Sequence, residues 1–408
     1  MTRRAVSRAG IFGLLLGLVP GSVAALQETS GYGQRAVSSH IHGTIVAVAL
    51  RLHAGSQDDP EGFAGTAWLL ARVLEDQVKR TLGPSQGVFT AQVERATTVF
   101  TLLAEPSAWA SAWAIADAVL FDTPIDAGLL DSHKAALLDQ LEFEAGSPFG
   151  DFEAEAAGLL AEPGSPFSRP PRGTAESLPG VGPGTLEAYR SAFHRRDLAA
   201  QAIVGPLPPE NPSARSPAAE RPTPDIAWVT GDRVFLARDV TNTWIAVAYP
   251  APAALPRTHL EVVAHLLEEE LDPTPPAADR YDVDVRLQET PHGSVLVVEA
   301  SVLPEAAAAW EERILAAVEG LASEPIGEDF FRWRRRRFRA ARLLEESAPE
   351  VEARRITADM LREARVRDLG VEIWSLDARA LLSAARSLGP PRVFLMGPDL
   401  RQEGSGSW

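Results

Sequence analysis

The stretch 206–224, PLPPENPSARSPAAERPTP, constrains this chain more than any other segment. Seven of its nineteen residues are proline. Proline fixes φ and lacks a backbone donor, so neither a helix nor an interior strand continues through such a run. It reads as an extended, semi-rigid linker. On either side lies a stretch close to the size of one ordinary domain.

Both stretches run through the same order of elements. In the first, the β-branched run TIVAVAL (44–50) predicts a strand, and a polar turn at 55–60 leads into helix periodicity over 62–82. Strands are predicted at 88–96 and 98–103, helices at 107–120, 127–144 and 184–193, and a closing strand at 199–204. The second begins with the strand TWIAVAY (243–249) and a helix at 259–270. Strands at 281–287 and 294–302 follow, then helices at 306–321, 329–361 and 377–388, and a closing strand at 392–396. The two orders match, which indicates a duplicated unit. Strands grouped with helices on one side indicate an α+β layer rather than strict βα alternation.

At 45% apolar and 23% charged residues the chain has the make-up of a folded globular protein. Its net charge of −16 makes nucleic acid or an anionic lipid surface a poor partner. Residues 1–25 read as a cleavable signal peptide: Arg3, Arg4 and Arg8 precede a short apolar stretch and a small-residue site at 22–25. That stretch is too short for a membrane span, and the Sec and twin-arginine routes both remain open. The expected location is periplasmic or extracellular, in a bacterium. Cysteine is absent, which excludes disulfides, thiolate metal sites and lipid attachment through a thiol.

Chemistry-bearing patterns are sparse. His40 and His42, at strand spacing, project to one side and form a weak metal candidate. The run RWRRRRFR (332–339) offers guanidinium forks for carboxylates, with Arg334 and Arg335 as weak binding candidates. Its plainer reading is a solvated helix face whose Trp333 and Phe338 pack. Nucleophile-elbow, P-loop and dinucleotide-binding patterns are absent.

Several local stretches carry a family resemblance. LHAGSQDDPEGFA (52–64) resembles the strand exit and turn, AGSRDEPPGLA, that leads into the first helix of the pitrilysin/insulinase (M16) metallopeptidases. GSPFSRP (164–170) and GTAESL (173–178) resemble that family's HPYGRP…GTEESI segment. LEAYRSAF (186–193) with AIVG (202–205) resembles the helix and VVGD strand closing its first domain. The resemblance covers most of 40–205 and is weaker over 225–400. It implies two tandem M16-type (LuxS/MPP-like) α/β-sandwich domains of α+β class, with mainly antiparallel sheets and helices packed on one face. The implied boundaries are 26–205 and 225–400, with the linker at 206–224 and a polar tail at 401–408.

Active members of that family carry H-x-x-E-H on the first helix, two histidines for zinc and a glutamate to activate its water. Here the matching positions are Gly65, Trp68 and Leu69, none of which binds zinc or moves a proton. The third ligand falls near Asp139-Gln140. Active members also use an Arg and a Tyr in the second domain, for which Arg280 and Tyr281 are weak candidates. The resemblance therefore implies a catalytically inactive, cofactor-free chain. Its expected partner is an M16 subunit with intact H-x-x-E-H that holds the zinc, and peptides are its expected substrates. A stand-alone envelope binding or scaffold protein is the rival reading, and a metallopeptidase with an unrecognised site a further one.

Overall fold

The protein, seen in a computed structural model, is described over residues 32–39, 43–83, 86–145, 147, 150, 152, 156, 165–207, 231–272, 279–290, 293–363 and 366–399. The expected signal peptide, His40, His42, most of the proline-rich segment and the tail lie outside the described residues.

The first five strands form one sheet: β1 (Gln34–Ser39), β2 (Val46–Leu52), β3 (Val88–Val93), β4 (Thr98–Ala104) and β5 (Ala199–Gly205), in the order β1-β5-β2-β4-β3. The next five form the other: β6 (Arg233–Ala237), β7 (Thr243–Pro252), β8 (Arg280–Thr290), β9 (Gly293–Val302) and β10 (Arg392–Gly397), in the order β6-β10-β7-β9-β8. The two orders are the same once five is added to each label. In each, the first strand runs parallel to the last and every other pairing is antiparallel. The central strands correspond: Val48 lies between Ile203 and Leu102, and Val247 between Val393 and Val298. The duplication inferred from element order is thus a duplication of topology.

Helices α1 (Thr66–Leu82), α2 (Trp109–Phe121), α3 (Ala127–Ala145) and α4 (Pro183–Phe193) belong to the first half. The second half has α5 (Arg257–Leu271), α6 (Ala307–Ser323), α7 (Glu328–Glu345), α8 (Pro349–Glu363), α9 (Leu369–Ser375) and α10 (Ala378–Arg386). Two strands and two helices, α8 and α9, go beyond the sequence expectation. β1 is a short, polar edge strand without an apolar run, and β6, RVFLA, is a five-residue edge strand, largely exposed, whose run is too short to separate a strand from a loop. The single helix expected over 329–361 is two helices, because Pro349 starts α8 and disfavours helix at the residue before it. Asp368 caps α9 through the Val371 N–H at 3.0 Å.

Alternation along the central strands explains the layers. On β2, Val46, Val48, Leu50 and Leu52 face α1 in a core that also holds Leu69, Leu70, Val73 and Leu74. The other face carries Ala47 and Ala49, joined by Ala36, Ala200 and Ala202. Such small side chains let a helix approach closely, and the helix that does so is α8, from the second half, through Ala353, Ile356 and Met360. Ser38 Oγ donates to Glu352 at 2.9 Å along the same seam. The second sheet repeats the scheme. Ile245 and Val247 face that half's own helices, while Ala246 and Ala248 pack with Phe152 of the first half. The Phe152 ring stacks on Phe394 at 5.7 Å and on Trp244 at 6.3 Å. Each half lays its own helices on one face of its sheet and lends the other half a cover for the opposite face.

Candidate functional site

The start of α1 carries the residues that the resemblance matches to the zinc motif, and it is built to be tight. Asp59 caps the helix from a distance, accepting the N–H of Gly65 at 2.6 Å and of Ala67 at 2.8 Å. Burial dominates the Asp59 carboxyl and pushes it up to about 7, outweighing those two donors, which act the other way. Arg169 fixes the same turn by donating to the Asp59 carbonyl at 2.9 Å. Ser177 Oγ donates to the Ala64 carbonyl at 2.9 Å, so the 165–181 segment lies directly across the helix start.

Gly65 precedes the first helical residue with φ +94°. A Cβ there would sit 2.7 Å from the Arg172 carbonyl oxygen and 2.7 Å from Leu178 Cδ2. No histidine fits this backbone without moving the crossing segment. Trp68 is half-buried at the edge of the core, with the Arg72 guanidinium 5.5 Å from its ring centre. Leu69 is fully buried in the core. At the third position, Asp139 and Gln140 are exposed on α3. Gln140 Nε2 donates to Glu144 Oε1 at 2.8 Å, and Glu144 is engaged bidentately by Arg172 at 2.9 and 2.7 Å. The Arg172 hydrogen bonds hold the Glu144 carboxyl below its usual range. The residues present do not fit zinc: a glycine, an indole and an isobutyl group offer no lone pair to a metal.

The second-domain candidates do not come together. Arg280 and Tyr281 are neighbours at the start of β8, where the register with β9 shifts between Arg280 and Asp282, and their side chains have different surroundings. Arg280 pairs with Asp272, its guanidinium 5.9 Å from the Trp310 ring centre, whereas Tyr281 is exposed. Arg334 pairs with Glu269, and Arg335 donates to the carbonyls of Trp374 and Leu376 at 2.9 and 2.6 Å. Among the described residues no group of three His, Asp or Glu is placed to hold a metal ion.

One constellation was not singled out from the sequence. Arg367, nearly inaccessible, donates to Asp359 at 2.6 Å and to Thr258 Oγ1 at 3.1 Å, with Glu261 at 3.8 Å. Arg257 pairs with Glu261 at 2.7 Å, and Arg355 with Asp359 at 2.7 Å. Beside this network is a cleft of about 430 Å³ bordered by Thr258, His259, Arg362, Arg367 and Glu372. The available signal was Glu261, an acid inside the apolar face of α5, but beyond Arg257 one turn before it, its partners Arg342 and Arg367 lie in later helices and loops that the local sequence does not point to.

No protein-family model matches the chain, and no curated protein sequence does. Solved structures do. An inactive domain of peptidase M16 from Pseudomonas fluorescens matches at 14% identity and TM-score 0.77, over 92% of this chain and 98% of that one. A chain of complex III from Candida albicans matches at 13% identity and TM-score 0.72, over 91% and 95%. The periplasmic protease PqqL from Escherichia coli matches at 11% identity and TM-score 0.71, over 93% of this chain but 46% of that one. At these identities the likeness is one of fold. The chain has the two-sheet architecture of M16 peptidase structures, one of them described as inactive. Among the described residues no helix is long and apolar enough to cross a membrane.

Proposed function

We propose that this chain is an exported, catalytically inactive member of the M16 family that acts as the non-catalytic subunit beside a zinc-bearing M16 peptidase in peptide degradation. The observation that carries the reading is the start of α1. Gly65, Trp68 and Leu69 stand at the positions that the resemblance matches to the motif, and the Gly65 backbone is closed over by Arg172 and Leu178. Zinc and the general base belong, on this reading, to the partner, while this chain supplies the fold and part of the surface against which peptides lie. Similarity in fold to an M16 inactive domain and to a periplasmic M16 protease supports both the inactivity and the envelope location.

Co-expression with a chain from an adjacent gene that carries intact H-x-x-E-H tests the proposal. The expected result is co-purification at equal stoichiometry and a gain in the partner's peptidase activity. Separate elution with no gain would favour a stand-alone scaffold. Stoichiometric zinc in this chain purified alone would overturn its inactivity.

A further inference from the structure

α7 carries seven arginines against three acids, in a chain of net charge −16. Its cations are distributed unevenly among partners. Arg334 and Arg337 share Glu269, Arg332 pairs with Asp329, and Arg335 fastens α9 through its backbone carbonyls. Among the described residues no carboxylate pairs with Arg336 or Arg339. Arg332, Arg336 and Arg339 follow one another at helical spacing and form one line along the outer side of α7.

Aromatic rings border that line. Trp333 is 48% exposed and Trp374 of α9 is 53% exposed, an unusual display for the largest apolar side chain. Arg337 lies 4.9 Å from the Trp333 ring centre, and Arg335 and Arg339 lie 4.8 and 5.6 Å from that of Trp374. A guanidinium lying over a ring keeps the outer edge of its donor fork for a carboxylate. Like charges one turn apart also repel, each such pair costing an isolated helix about 0.2–0.5 kcal/mol. An occupant bearing carboxylates would relieve that repulsion.

We propose that this face of α7 and α9, with Arg332, Arg336 and Arg339 between Trp333 and Trp374, docks an acidic amphipathic segment of a partner polypeptide. The charge distribution selects this occupant. A two-fold dimer through the same face would set its arginines against themselves. A polyanionic membrane or nucleic acid meets the acidic remainder of the chain as well as the patch. A short segment meets only charges within about one Debye length, roughly 8 Å at physiological salt. No step of this inference uses the pairing proposed above, so either can fail alone.

The probe is a synthetic helical peptide with glutamates at i, i+4 and i+7 flanked by leucine and phenylalanine, labelled for fluorescence anisotropy with the full chain. Binding is expected for this peptide and not for its lysine counterpart, and it weakens as salt rises. Arg332→Glu with Arg336→Glu lowers affinity by at least about tenfold, and Trp333→Ala or Trp374→Ala also weakens it. The thermal midpoint of the charge-reversed chain stays level or rises. Should that pair fail to fold, Arg336→Ala, at an exposed position, gives the same readout. Equal binding of the glutamate and lysine peptides, or unchanged affinity in the variants, overturns the proposal. So does binding only to phosphatidylglycerol vesicles, or self-association that salt reverses.

Discussion

Gly65 and Gly173 meet back to back: a Cβ on Gly173 would lie 3.0 Å from the Gly65 Cα, and both residues hold positive φ, +94° and +78°. This contact brings the 165–181 segment onto the start of α1. A Cβ on either residue would meet backbone, the Arg172 carbonyl in one case and the Ala64 carbonyl in the other.

Gly65→Ala is therefore expected to destabilise the chain by about 1–3 kcal/mol from backbone strain alone, with the collision added. Denaturant unfolding measures it. The restored motif, Gly65→His with Trp68→Glu and Leu69→His, is expected to unfold at lower denaturant and to take up no stoichiometric zinc. A folded triple variant that binds one zinc ion tightly would show that the site had lost its ligands and kept its shape.

Two buried groups in the first half give opposite pH dependences. The Asp59 carboxyl sits near 7 in the fold against an ordinary 3.8, so the native state holds its proton more tightly than the unfolded chain does. Its contribution is full below about 4 and is lost as pH rises through about 7. His194, packed against Phe100 and Tyr189, is pushed down to about 3 from 6.5 by burial first and then by Arg190. It stays neutral in the fold while the unfolded chain takes up a proton, so its contribution is full above 6.5 and falls as pH drops toward 3.

Between pH 4 and 6.5 these slopes oppose, and the wild-type profile is expected to be shallow. Asp59→Asn keeps one capping acceptor and removes the buried acid, leaving the loss of stability on acidification unmasked. His194→Phe does the reverse, and stability then rises as pH falls. Unfolding midpoints across this window read both. Parallel profiles for the two variants would show that these groups do not set the pH dependence.

Legibility in the sequence followed the range of the interaction. The central strands, α1 to α6 and the closing strands follow from local periodicity, and the duplicated order followed from them. β1 and β6 were not legible, because β1 is an edge strand with no apolar run, and the run of β6 is short and exposed along most of its length. The motif positions are assigned by resemblance alone. What occupies them in space was not legible: the Arg172–Glu144 bridge and the Ser177–Ala64 hydrogen bond join residues 28 and 113 positions apart. The break before Pro349 was written locally but is masked by helix-forming residues on both sides.

That break produces the crossing helix, and with it the strongest expectation about stability. α8 covers the alanine face of the first sheet, and Phe152 covers the alanine face of the second. Ile356 and Met360 are fully inaccessible there, each stabilising the chain by about 1.5–3 kcal/mol through burial. Ile356→Ala should then cost about 2–5 kcal/mol, most of it felt by both halves at once. A protease site placed within 213–220 tests the same seam and leaves every described core residue unchanged. After cleavage the two fragments are expected to co-elute and to unfold in one transition, since the covers are exchanged between halves whether or not the chain is continuous. Fragments that separate in native buffer, or two resolved transitions, would mean that α8 contributes little to holding the sheets together.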